Sequence, residues 1–77
     1  MSDTLNKMIE TLRTKFKLEG ELNGDSKLYE INLDSLDVIN FLFGLEQETG
    51  VKLPEESFEA EGIETLAQIA AFIDARR

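Results

Sequence analysis

Cysteine and histidine are both missing from this 77-residue chain. The first absence excludes disulfides and thiolate metal sites and agrees with a cytoplasmic setting. The second removes the usual base of serine catalysis, since a hydroxyl becomes a nucleophile only when a neighbouring base takes its proton and a third group holds that base. Lysine can substitute when desolvated, but the lysines nearest Ser35 in sequence, Lys27 and Lys52, have no surroundings that predict burial. Long apolar runs are missing too: no segment approaches the roughly 20 apolar residues of a membrane span. The stretch from Met1 to Lys15 is amphipathic, unlike the uninterrupted apolar core of a signal peptide. A calcium site is a weak reading, because Asn32, Asp34 and Asp37 lack the glycine and terminal glutamate of an EF-hand loop.

Basic residues are scarce over residues 30–64, where Lys52 stands alone against Glu30, Asp34, Asp37, Glu46, Glu48, Glu55, Glu56, Glu59, Glu61 and Glu64. The first 29 residues are balanced, so the net charge of −8 lies mainly in the second half. Nucleic acid is an improbable partner for such a surface. A concentrated negative field would instead steer encounters with basic patches on proteins, although acids that only keep a small domain soluble would look the same. The length and the 42% hydrophobic content suit one domain over residues 1–77 with a thin core and modest stability.

Periodicity predicts an all-α fold of three main helices and one short helix. Leu5, Met8, Ile9, Leu12 and Phe16 form an apolar stripe on a first helix from about Ser2 to Phe16. A second helix, from about Ser35 to Glu48, carries Leu36, Val38, Ile39, Phe41, Leu42, Phe43 and Leu45. One stripe cannot bury them all, so some of that surface must meet something else. Gly50 and Pro54 supply the stop signals. Glu55 to Glu61 allows a short helical turn anchored by Phe58. Thr65 and Gln68 read as a capping box opening a last helix, with Leu66, Ile69, Ala70 and Ile73 inward and Phe72 at the edge. Residues 17–34 are open to two readings, the first a loop pinned by Leu18, Leu22, Leu28, Ile31 and Leu33. The competing assignment is a β-hairpin turning at Asn23-Gly24, with Tyr29, Ile31 and Leu33 alternating.

Ser35 falls among acids in Leu33-Asp34-Ser35-Leu36-Asp37, at the first turn of the second helix. That turn presents unpaired N–H groups and the positive end of the macrodipole, a favourable place for an anion. Ser35 could serve only as N-cap. Asp34 competes for that role: with Asp34 as cap, Asp37 becomes the acidic analogue of a capping box and the Ser35 hydroxyl turns outward.

Asp-Ser-Leu-Asp opening an apolar helix, followed by Leu-Glu-Gln-Glu at 45–48 and Val-Lys-Leu-Pro at 51–54, resembles the acyl carrier proteins over most of the chain. The resemblance implies a non-catalytic carrier that receives 4'-phosphopantetheine from coenzyme A on Ser35 and bears acyl groups as thioesters between enzymes of fatty acid, lipid or polyketide synthesis. It implies a long loop over residues 17–34 between the first and second helices, and a phosphopantetheinyl transferase and acyl-loading, synthase or acyltransferase enzymes as partners of a monomer. Asp34, Leu36, Asp37 and Glu46 would be the recognition residues, with Leu36 docking on partners and Ile39 in the core. Asn40 and Gln47 stand where fatty-acid carriers usually place acids, and Asn32-Leu33 replaces a glycine-containing approach. These departures keep a specialised aminoacyl, D-alanyl or peptidyl carrier open. An unmodified acidic helical adaptor is the reading from another class.

Overall fold

The computed structural model describes residues 3–77 and measures 29 × 24 × 22 Å along its principal axes. The elements are α1 (Asp3–Thr14), α2 (Ser35–Thr49), α3 (Glu55–Glu61) and α4 (Leu66–Arg76), with no strand among the described residues. Met1 and Ser2 lie outside the described residues, and with them the expected start of the first helix at about Ser2. Helix α1 stops two residues short of Phe16, which follows it as a half-buried side chain stacked edge-on against Phe41 at 5.9 Å.

The core forms where the four helices meet. Met8, Leu12, Leu28, Phe41, Phe58, Leu66, Ile69 and Ile73 are fully buried there. Helix α1 packs on α4, and their open ends are tied by a polar bridge. The buried Thr4 hydroxyl donates to Asp74 Oδ1 at 2.5 Å and accepts from Arg77 Nη2 at 2.8 Å. Phe72 does more than line an edge: it is 8% exposed and meets Phe58 edge-on at 5.4 Å, joining α4 to α3.

The helix ends obey the sequence signals. Thr65 caps α4, accepting from the Gln68 N–H at 3.1 Å while Gln68 Oε1 accepts from the Thr65 N–H at 2.9 Å. Gly50 closes α2 at φ 74°, a left-handed conformation that costs glycine little, and its N–H reaches Glu46 O. Pro54 does more than stop a helix, since it stands at the N-cap position of α3.

The long connection is a loop, not a hairpin. Asn23 and Gly24 do turn, with Asn23 Oδ1 accepting from the Asp25 N–H at 2.8 Å, but the turn pairs with the start of α4 rather than with a returning strand. Leu66 N–H donates to Ser26 O at 2.9 Å and Ala67 N–H to Gly24 O at 3.0 Å. The loop thereby satisfies two N–H groups that a helix start leaves without intrahelical acceptors. Gly24 suits this close approach, because a Cβ there would stand 3.1 Å from Ala67 Cβ, a tight contact. Lys27 makes one isolated antiparallel bridge to Thr65, and Ile31 N–H then donates to Lys27 O at 3.1 Å, a helical turn in place of the expected alternation.

Ile39 is not in the core. Val38, Phe41, Leu42 and Leu45 take the inward face of α2, whereas Ile39 is 53% exposed beside Leu36 and Phe43. At 100° per residue those three centre roughly 140° round the helix from the buried set, so α2 can bury only one of its two apolar faces here.

Candidate functional site

Ser35 is the first residue of α2 and its side chain is exposed. Asp34, extended at φ −81° and ψ 175°, is the N-cap, and its Oδ1 accepts from the Asp37 N–H at 2.8 Å. The capping bond therefore belongs to Asp34, and among the described residues the Ser35 hydroxyl has no hydrogen-bond partner. The first N–H groups of a helix have no intrahelical acceptor, and Asp34 takes only that of Asp37, which leaves those of Ser35 and Leu36 directed out of the helix end. An anion esterified to Ser35 Oγ would lie beside those donors and at the positive end of the α2 dipole. No histidine exists anywhere in the chain to activate the hydroxyl. The arrangement suits a serine that is acted upon by another protein.

The proposed recognition residues fall in two groups. Leu36 is 65% exposed and Asp37 half-buried, both within the first turn of α2. Glu46 sits nine residues beyond Asp37, about 14 Å along the axis at 1.5 Å per residue. Its carboxylate accepts from the Leu53 N–H at 2.6 Å, which braces the connection from α2 to α3. Asp34 is likewise engaged, in its cap. Asp34 and Glu46 spend an oxygen on the fold, whereas the exposed Leu36 and the half-buried Asp37 carboxylate make no such bond among the described residues.

Ile39 and Phe43, the latter 59% exposed, continue the Leu36 stripe along α2 beside a surface depression of about 280 Å³ that includes Leu53, Glu55 and Glu56. The sequence held the signal for this face, because residues 36, 39 and 43 fall at i, i+3 and i+7. A second feature had no such signal. The Tyr29 hydroxyl donates to Glu55 Oε2 at 2.6 Å, joining the long loop to the start of α3. Partial burial first, then this bond and the charges of Glu55 and Glu59, push the phenol up to about 12.

The sequence profile described as "Phosphopantetheine attachment site" matches residues 6–73. The chain belongs to that family. The family is the site of covalent 4'-phosphopantetheine attachment, and the exposed hydroxyl of Ser35 with free N–H groups beside it fits such a group. Similar curated proteins carry the carrier name. The chain is 34% identical over 74 residues to "Acyl carrier protein 3, chloroplastic" of Cuphea lanceolata, covering 94% of this chain and 50% of that one. It is 36% identical over 58 residues to the acyl carrier protein of Helicobacter hepaticus, covering 74% of each. It is 30% identical over 77 residues to that of Prochlorococcus marinus, covering 97% of this chain and 94% of the other. The chain spans about half the length of the chloroplast relatives it matches. Among the described residues, no helix is long and apolar enough to cross a membrane.

Proposed function

We propose that this chain is an acyl carrier protein: Ser35 accepts 4'-phosphopantetheine from coenzyme A, and the thiol of that arm carries acyl groups as thioesters between enzymes. The observation that carries the reading is the position of Ser35, exposed at the first residue of α2 with Asp34 rather than itself capping the helix. Family membership and the similarity to acyl carrier proteins support it. The carrier has no catalytic residue of its own. A phosphopantetheinyl transferase modifies Ser35, and acyl-loading, synthase or acyltransferase enzymes with basic docking patches engage Leu36, Asp37 and Glu46. The exposed Leu36, Ile39 and Phe43 give those enzymes an apolar seat, and the acids give a steering field, so docking is brief and salt-sensitive. The cytoplasm is the proposed location.

The test is intact mass before and after incubation with coenzyme A and a broad-specificity phosphopantetheinyl transferase. The expected result is a gain of one arm in the wild-type chain and none in Ser35→Ala. No gain, with the transferase shown active on another carrier, would favour the unmodified acidic adaptor.

A further inference from the structure

Lys52 is the one base over residues 30–64, among ten acids, yet among the described residues its ammonium makes no ion pair or hydrogen bond. It lines a depression of about 410 Å³ with a second cation, Arg76 of α4, and with Ser57 and Glu61 of α3. Arg76 is fixed there. Its guanidinium stacks over the Phe72 ring at 3.5 Å and its Nη1 donates to Phe72 O at 3.3 Å. Those contacts occupy one face of a planar group and one of its several N–H donors, so among the described residues the rest of the fork has no acceptor.

Lys52 is steadied through the backbone on both sides. Val51 N–H donates to Thr49 Oγ1 at 3.2 Å, and Leu53 N–H donates to Glu46 Oε2 at 2.6 Å. The half-buried Ser57 donates its N–H to Pro54 O at 3.0 Å, while its hydroxyl has no partner among the described residues. One depression thus gathers two cations and a hydroxyl, all with donors to spare.

We propose that this depression binds the phosphate group of a small phosphate ester, with Arg76 and Lys52 as its cationic walls and Ser57 as a further donor. A dianion suits two cations better than a carboxylate does, and a guanidinium fork matches two phosphate oxygens at once while an ammonium acts as a point charge. Glu61 opposes the ligand from the same lining, and the net charge of −8 repels it at longer range. Binding is therefore weak, with a Kd on the order of 1 mM, and salt-sensitive. The site involves neither Ser35 nor the arm.

The experiment is an NMR titration of the unmodified chain with glycerol 3-phosphate, ionic strength being held constant with sodium chloride. Amide signals of Val51, Lys52 and Ser57 and the Arg76 Nε signal are followed. Saturable shifts confined to these groups are expected. Lys52→Gln and Arg76→Gln should each weaken binding by about fivefold or more, and Arg76→Lys, which keeps the charge but loses the fork, by less. Glu61→Gln removes the opposing carboxylate and should tighten binding by about two- to threefold. Lys52 is exposed and makes no bond in the fold, so its variant tests the site without disturbing the bundle. Absence of saturable shifts would overturn the site, as would the same shifts with sodium chloride alone or an unchanged affinity in Lys52→Gln.

Discussion

The Asp34 carboxylate accepts the N–H of Asp37 at 2.8 Å, spanning Ser35 and leaving its hydroxyl outside the cap. Removing either side chain separates the two roles. Asp34→Ala is expected to lose about 1 kcal/mol of stability, the usual worth of an N-cap. Ser35→Ala should stay within about 0.5 kcal/mol of wild type, as an exposed substitution away from a structural feature does. Urea unfolding of both variants checks the pair. A larger loss for Ser35→Ala than for Asp34→Ala would return the cap to the serine.

Gly44 is exposed inside α2, and a Cβ added there meets nothing within 4 Å. Gly44→Ala should therefore stabilise the chain by about 0.5–1 kcal/mol, because alanine loses less backbone entropy in a helix interior. The same unfolding measurement reads the gain.

The raised Tyr29 phenol makes stability fall at high pH. The folded chain keeps this proton up to about 12, whereas the unfolded chain releases it near 10, so the native state holds more protons in that window. The contribution is fully present below about pH 10 and is lost as pH rises toward about 12. Unfolding free energies taken across that window should decline more steeply in the wild type than in Tyr29→Phe.

Asp37→Lys reverses a charge in the first turn of α2, next to Leu36. If basic enzymes dock there, their transfer rates should fall roughly 5- to 10-fold at low ionic strength, and the deficit should shrink as salt screens the field. Loss of the favourable charge at the helix start should itself cost only about 0.3–1 kcal/mol, so circular dichroism will show a folded variant. A deficit that does not change with salt would point away from electrostatic steering.

Short-range chemistry sets how much of the structure is legible in the sequence. The capping roles of Asp34 and Thr65, the left-handed end at Gly50 and the inner stripe of α4 each depend on residues within a turn of one another. Ile39 departs from its expected core position because α2 is apolar on two faces, and composition does not say which one the other helices cover. The hairpin alternative fails for a related reason. Asn23-Gly24 does turn the chain, but Ser26 and Gly24 give their carbonyls to the start of α4, about 40 residues later. The Tyr29–Glu55 bond and the bracing of Leu53 by Glu46 likewise depend on tertiary placement. Glu46 illustrates a residue whose proposed recognition role and observed structural role coincide on one side chain.

On the carrier reading, Ser35 and no other hydroxyl bears the arm. Trypsin cuts after Lys27 and Lys52, so the peptide 28–52 contains Ser35 as its only serine and is separated from Ser2, Ser26 and Ser57. The most direct measurement is tandem mass spectrometry of that digest after treatment with coenzyme A and transferase. The expected result is the phosphopantetheine mass on peptide 28–52, localised to Ser35 by fragmentation. The arm on any other peptide, or on Tyr29 or Thr49 within this one, would contradict it.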